Sequence, residues 1–537
     1  MNRKSGNCDW ESVRRKGTRS ESLRRCFRVT ATFLLRAFVF GLAYGQAPLY
    51  HSNQNQYFLH GLAAAGFGFL QEDWLANTTD PTPIFSFLVT TTYHHLHEYA
   101  FYSYYFLLFG IYSASMASLF SFLAGERNST RLRSSFFAFF VLIHSAMLRW
   151  GSDHLLGRDY AWYLQSGVAG QYALGPMFQP STFGVLLILS ISLFVRRNPF
   201  WAIVSAVLAA TIHSTYLLGA GMLTLAFMIV LWREDYRWQA LRLGTWALLL
   251  VLPVLIYVLI TFHTSTEAFI EAQQILVHVR IPHHAIPRLW CDGIALGQVA
   301  WMVLALCLLP RTRLLPVLGV AFLLSLVLTL LQVATGNNTL ALLFPWRISA
   351  VLMPIATTVI LSRLVIAGAR WFERTTVRFV NVLLVAGLVI AGLVLTVQDF
   401  QTNDDELPLL EYVKANKTKG DVYLLPVEAP NLSAAPDAIP SELQRFRLYT
   451  GAAIFVDFKS IPYKDTDVQE WHRRIQLNQT LLVQMRAGKE EDMWAELKCS
   501  GITHVVTKAD QELKGSGFLK VHEDRVYRVT SLKSAGW

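Results

Sequence analysis

Lysine and arginine are missing altogether from the stretch 46–97, and the stretches 151–175 and 263–293 hold only Arg158, Arg280 and Arg288. Charge of either sign is scarce throughout. Only 16% of the 537 residues are charged, where a soluble protein averages about 25%. With 53% hydrophobic residues and a mean hydropathy of +0.35, this excludes an ordinary soluble enzyme and points to a polytopic membrane protein. Cysteine is equally rare: Cys8, Cys26, Cys291, Cys307 and Cys499 are the full set. Their spacing matches no metal motif. No repeat of fixed short period is visible, which excludes a solenoid. No soluble face combines basic residues with stacking aromatics, so the net charge of +10 does not point to nucleic acid. It reflects topology and anionic lipid.

What is present is apolar length. Runs long enough to cross a bilayer number about 11. Their cores are Val29–Gly45, Glu98–Ala124, Ser134–Trp150, Pro176–Val195, Pro199–Ile212, Ser214–Trp232, Leu243–Phe262, Ile294–Leu309, Leu314–Ala334, Leu342–Ser362 and Phe379–Gln398. The stretch Pro199–Trp232 is too long for one crossing and fits two short ones. The turn between them then falls near His213.

Basic residues mark every second loop. Arg127, Arg131 and Arg133 form one group; Arg196 and Arg197, Arg233 and Arg237, Arg311 and Arg313, and Arg370 and Arg374 form the others. The positive side is cytoplasmic. Residues 1–28 are thus expected to be a basic cytoplasmic tail, 29–398 a transmembrane domain, and 399–537 an extracytoplasmic domain. Arg36 interrupts the first apolar run, which argues for a retained anchor over a cleaved signal. On this topology only Cys291 and Cys499 can meet outside the cytosol, where a disulfide is permitted but not required.

The C-terminal domain reads as small α/β. Val422–Leu425, Ile454–Asp457 and Thr503–Thr507 have strand character, and Phe518–Val521 and Arg525–Val529 suit a hairpin through Glu523-Asp524. Leu409–Ala415, Val468–Arg486 and Glu490–Cys499 have helical spacing. The outer loops 46–97, 151–175 and 263–293 are longer than simple connections need, which suggests function. Gly61–Leu70 and Pro83–Val89 suit helices lying at the interface. Thr266–Val279 places Phe269, Ile270, Leu276 and Val277 on one side, as a surface-lying amphipathic helix would.

Several polar residues in these loops can carry chemistry. Glu72 and Asp73 are adjacent acids beside an apolar segment, a costly placement unless they bind a cation or move a proton. The alternative is a loop corner capped by Asp73. Asp153 and His154 pair an acid with an imidazole on the same side, a donor set suited to Mn²⁺ or Mg²⁺. Capping, or pairing of Asp159 with Arg149 or Arg158, is the structural alternative. His213 sits at the turn between two short spans. His94, His95 and His97, like His283 and His284, suit an interfacial face as well as a metal. Arg347, in Phe344-Pro345-Trp346-Arg347, stands at the outer end of a span against the charge pattern. Arginine favours bidentate phosphate contacts, and snorkelling to headgroups is the alternative. Gln171 and Gln179 lie in a glycine-rich run that lets a ligand approach the backbone.

The pattern of about 11 spans, an acidic pair at Glu72-Asp73 in a long first outer loop, a second acidic loop at Asp153 and an outer C-terminal domain resembles the GT-C class of polytopic glycosyltransferases. That class includes oligosaccharyltransferase catalytic subunits, protein O-mannosyltransferases and aminoarabinose transferases. The resemblance implies transfer of a sugar from a polyprenyl-phosphate donor to an extracytoplasmic acceptor at the membrane. It maps the class's catalytic acid onto Asp73, with Glu72 beside it, and a second-loop acid onto Asp153. Arg347 would then hold the lipid phosphate, His213 and Gln179 the substrate, and Asp153 and His154 a metal or the acceptor. The Trp-Trp-Asp-type motif of true oligosaccharyltransferases is missing from the C-terminal domain. A transporter or flippase, and a non-catalytic scaffold with a partner-binding outer domain, are the competing readings. Paired repeats and broken midplane helices, the mark of many transporters, are not evident.

The charge alternation makes a direct prediction. A topology reporter fused after Gln398 is active only outside the cytoplasm, and one inserted after Arg313 only inside. A cytoplasmic signal from the first fusion contradicts the span count.

Overall fold

The computed structural model describes residues 19–401, 404–427, 443–488, 490–515 and 517–532. Cys8 and most of the basic tail lie outside the described residues. In a bilayer an apolar run must satisfy its own N–H and C=O groups, which it does by coiling into a helix. Each apolar run read from the sequence overlaps a helix. Among the described residues, seven helices are long and apolar enough to cross a membrane, or up to eight if one bent pair is a single span. Pro180–Val195, Pro199–Ile212 and Gly293–Leu308 are apolar but shorter.

The count of spanning helices among the described residues is thus lower than the sequence led us to expect, and two further segments depart from the expected runs. Ser134–Trp150 is not one straight rod. Thr130–His144 and Ala146–Leu156 meet at a 49° bend. Ser145 causes it: its hydroxyl donates to the Leu142 carbonyl at 2.8 Å and accepts from the Leu148 N–H at 3.1 Å. One side chain thus closes the first helix and caps the second. The expected span Leu342–Ser362 lies within the apolar stretch Asn338–Ala367, whose continuous α-helix begins at Ser349. Before it, Phe344 takes a left-handed φ of 47° and Pro345–Ile348 forms a single 3₁₀ turn.

The bundle has two chemically different ends. At the basic end the arginine-bearing turns bind one another. Arg131 donates to the Glu373 carbonyl, Arg196 to the Ser118 carbonyl, and Arg313 pairs with Glu234. The Lys- and Arg-poor loops gather at the other end, beneath the C-terminal domain.

That domain is a five-stranded mixed sheet of order β2-β1-β3-β5-β4. Its strands are β1 (Val422–Leu424), β2 (Ala453–Ile454), β3 (His504–Lys508), β4 (Phe518–Glu523) and β5 (Tyr527–Leu532). β1 runs parallel to β2 and β3; β5 is antiparallel to β3 and β4. Asp524 closes the expected hairpin by accepting from the Val526 and Tyr527 N–H groups, both at 2.8 Å. Successive strand residues face opposite ways. Val505 joins Val468, Trp471 and Leu497 on one face, while Val506 joins Leu409, Leu410 and Phe446 on the other. Helices cover both faces.

The first core borrows from the membrane domain. Ala272 and Ile275, on helix Thr266–Ile275, are buried in it. The amphipathic reading of Thr266–Val279 therefore needs correction. The buried side carries Ala268, Ala272 and Ile275, whereas Phe269 and Ile270 are exposed. Likewise Leu59, Leu62 and Leu70 of the first loop are fully buried, not laid on a surface. Cys291 and Cys499 are both free and exposed.

Expressed alone, residues 406–537 should fold with mixed α/β circular dichroism, because each sheet face has its own cluster. The fragment should unfold at a lower temperature than the same domain in the full chain, since it lacks Ala272 and Ile275. An insoluble or unstructured fragment contradicts this account.

Candidate anion site at the domain interface

The acidic pair of the first loop is engaged at the contact with the C-terminal domain. Asp73 is 0% exposed. Its Oδ1 accepts from the Leu75 N–H at 2.9 Å and its Oδ2 from the Ile454 N–H of β2 at 3.0 Å. The buried Arg447 guanidinium brings Nε within 3.0 Å of the same Oδ2. This contact is ionic rather than an aligned hydrogen bond, because the Arg447 N–H is directed off the oxygen. Glu72 accepts from the Gly420 N–H at 2.6 Å. Both acids therefore hold the first loop against the C-terminal domain as a clamp, with the Asp73 carboxylate, expected as the catalytic acid, engaged at both oxygens. Gly68 and Gly451 complete it. The Phe69 N–H reaches the Gly451 carbonyl at 2.8 Å, and a Cβ on Gly68, at φ +56°, would lie 2.4 Å from that oxygen.

Asp153 and His154 are exposed on the last turn of Ala146–Leu156. The His154 ring stacks on Trp150, and its Nδ1 lies 3.0 Å from the Trp150 carbonyl. Among the described residues no three His, Cys, Asp or Glu side chains converge to hold a metal. The pair lacks a third donor and does not fit Mn²⁺ or Mg²⁺, so no metal step is derived. Asp159 caps Tyr160–Tyr163 and pairs with Arg149 at 2.8 Å. Arg36 lies 5.9 Å from the Phe137 ring centroid.

The structure does bring together Arg347, His213 and Gln171. Helix Pro199–Ile212 ends at His213, the predicted turn. There the imidazole Nε2 lies 3.4 Å from an Arg347 Nη. The other Arg347 Nη donates to the Gln171 side-chain carbonyl. The guanidinium sits 5.2 Å above the Tyr216 ring. A void of about 10 Å³ beside it holds one water at most. Gln179 is nearby, donating to the Tyr172 hydroxyl at 3.2 Å, with its own Oε1 buried and unpartnered.

Two further cations complete the cluster. Arg280, 7% exposed, comes from the loop 263–293 and donates to the Lys459 carbonyl. The Lys459 ammonium donates to the Ser52 hydroxyl at 2.5 Å. His283 and His284 stack between the groups, ring centroids 4.0 Å apart. The Tyr57 and Tyr463 hydroxyls, 3.2 Å from each other, bridge the membrane domain to the C-terminal domain. The Asp457 carboxylate acts on both Arg280 and Lys459, and it is engaged. It accepts from Asn55 at 3.2 Å, from the Ser460 hydroxyl at 2.7 Å and from the Lys459 N–H at 2.9 Å.

Among the described residues Arg280, Arg347 and Lys459 make no salt bridge. Arg280 Nε, Arg347 Nε, His213 Nδ1 and His283 Nδ1 are all buried without a partner. Such donors are rare in folded proteins because each forfeits its hydration. Burial, with Arg280 close by, pushes the Lys459 ammonium down to about 8. Burial beside Arg280 and Lys459 holds His283 down to about 4, so it is neutral at pH 7. The cluster thus holds three cations that make no salt bridge among the described residues, beside the engaged Asp457. Sequence reading found Arg347 and His213 and noted Arg280 only as an exception to the charge pattern. Lys459, Tyr57 and Tyr463 carried no sequence signal.

Residues 404–477 match a family described as a domain of unknown function, DUF6798. That segment includes Arg447, Asp457, Lys459 and Tyr463. No curated protein matches the chain.

The clamp makes a testable prediction. Asp73→Asn leaves Arg447 buried without its counter-charge, which costs about 3–5 kcal/mol. The full-length protein should therefore lose thermal stability, and Asp73→Asn with Arg447→Met should recover most of it. Unchanged stability in Asp73→Asn together with lost activity would restore the catalytic assignment.

Proposed function

We propose that this protein is a membrane transferase that binds a polyprenyl-phosphate-linked sugar at its extracytoplasmic face and passes the sugar to an acceptor. The carrying observation is the convergence of Arg347, Arg280 and Lys459, from separate segments, with no salt bridge from any of the three among the described residues and with Asp457, the carboxylate acting on Arg280 and Lys459, engaged by Asn55, Ser460 and the Lys459 N–H. A phosphate supplies the missing acceptors. When the bond between the anomeric carbon and the phosphate oxygen breaks, negative charge grows on that oxygen. Fixed donors in a site closed to water stabilise it. The Gln171 carbonyl occupies the position on Arg347 that a phosphate oxygen would take. Donor binding then exchanges a neutral acceptor for a charged one, which strengthens the bond. The C-terminal domain supplies Lys459 and Tyr463, so it belongs to the site and is not merely a lid.

A second reading is non-catalytic binding of the same lipid, as in a flippase or receptor. The engagement of both Asp73 carboxylate oxygens favours it, since the expected general base is already committed. Purified full-length protein separates the two. A transferase consumes the sugar-phosphate lipid when an acceptor is present; a receptor only retains it.

Arg280→Ala and Arg347→Ala should each weaken polyprenyl-phosphate binding by about tenfold or more, the loss of one charge-assisted contact. Binding should also weaken as pH rises through about 8, because the Lys459 ammonium loses its proton there. Affinity flat across that range, or indifferent to both substitutions, contradicts the assignment.

A further inference from the structure

The first helix, Arg19–Tyr44, carries a charge in the middle of its apolar stretch Cys26–Tyr44. Arg36 stands about 12 Å along the helix from Arg28. Residues at this spacing share a helix face, and the face of Arg36 is open. Val29 is 65% exposed, and Thr32, one turn before Arg36, is exposed as well. Leu35, beside it, is 65% exposed. Only 22% of the helix's apolar window is buried within the protein, so this flank faces lipid. A cation placed there is costly unless an anion joins it. Among the described residues Arg36 makes no hydrogen bond and no salt bridge. Its guanidinium lies 5.9 Å from the centroid of the Phe137 ring.

The charge that acts on Arg36 has the same sign, for it belongs to Arg133. Packing explains the approach. Phe40 stacks on Phe140 with ring centroids 5.3 Å apart, so the first helix and helix Thr130–His144 lie side by side. They run in the same direction, because one turn back from Phe40 Arg36 meets Phe137. Arg133 follows one turn below Phe137, in the first turns of its own helix. It is exposed, and its guanidinium donates to the Thr130 hydroxyl at 3.3 Å. Neither arginine has a carboxylate partner among the described residues. Arg131, on the same turn, is used differently and donates to the Glu373 carbonyl. Two like charges thus share one lipid-facing seam at the basic end of the bundle.

Guanidinium groups bind phosphate oxygens through paired N–H donors. A phosphate seated between the two arginines would relieve their repulsion and the isolation of Arg36 together. We propose that this seam binds the phosphate of an anionic phospholipid, whose acyl chains lie in the bilayer beside the first helix. The site is at the opposite end of the bundle from the proposed phosphate site, and its test does not depend on transferase activity.

The test uses delipidated full-length protein in detergent, with lipid retention read by native mass spectrometry. The starting protein carries Arg347→Ala, which weakens the proposed phosphate site and leaves the seam untouched. The probes are dioleoyl phosphatidylglycerol, dioleoyl phosphatidylcholine, whose own ammonium offsets its phosphate, and inorganic phosphate as a competitor. The glycerol lipid should bind about tenfold more tightly than the choline lipid. Arg36→Gln and Arg133→Gln should each remove most of that preference. Arg133 is exposed, so its substitution leaves folding intact. Arg131→Gln, an equal loss of charge on the same turn, should leave the preference unchanged. A preference that survives Arg36→Gln with Arg133→Gln, or that falls as far in Arg131→Gln, overturns the proposal. Displacement of the lipid by an equal concentration of inorganic phosphate also overturns it, since the ligand would then be a free anion.

Discussion

The buried contact between Asp73 and Arg447 is the constraint on which the rest of this arrangement depends. It joins the first loop of the membrane domain to the C-terminal domain, with both groups out of water. A desolvated pair of this kind adds little net stability against an apolar substitute, but half of it is very costly. It therefore acts as a specificity device: only the docked arrangement satisfies both charges. The Ile454 N–H adds to this, because β2 is an edge strand and its backbone would otherwise lack a partner. Gly68 and Gly451 allow the two backbones to approach closely enough for the pair to form.

Docking then decides what the polar residues can do. Lys459 and Tyr463 reach the membrane domain only because the C-terminal domain is held there. Arg280 likewise binds the Lys459 carbonyl across the interface. The result is a region where cationic and neutral donors outnumber acceptors. In a low-dielectric setting such an imbalance is costly in the empty state and rewards an incoming anion. The engagement of Arg347 by Gln171 offsets part of that cost without adding charge.

Much of the fold was legible because its signals are local. Apolar length located the helices, a short buried run located Thr503–Thr507, and turn residues located the hairpin at Glu523-Asp524. The His213 turn followed from the length of one apolar stretch. Arg347 stood out because it broke the charge pattern. What failed was non-local. Nothing near Asp73 in the chain announces Arg447, so an acid committed to a domain interface reads as one available for catalysis. Ser145 looks like any small residue in a span, and only its paired hydrogen bonds reveal the bend. Asp153 and His154 share a helix turn, yet a metal site needs a third donor that spacing alone did not supply. Lys459 is one lysine among many in the C-terminal domain, and its partners come from loops far away in sequence.

The central claim is that Arg347, Arg280 and Lys459 form one phosphate site across the two domains. A cryo-EM map of the full-length protein in nanodiscs loaded with a polyprenyl phosphate tests it most directly. The account predicts phosphate density in hydrogen-bond reach of all three side chains, with the Gln171 amide displaced from Arg347. Phosphate density elsewhere, with Gln171 still bonded to Arg347, would contradict it.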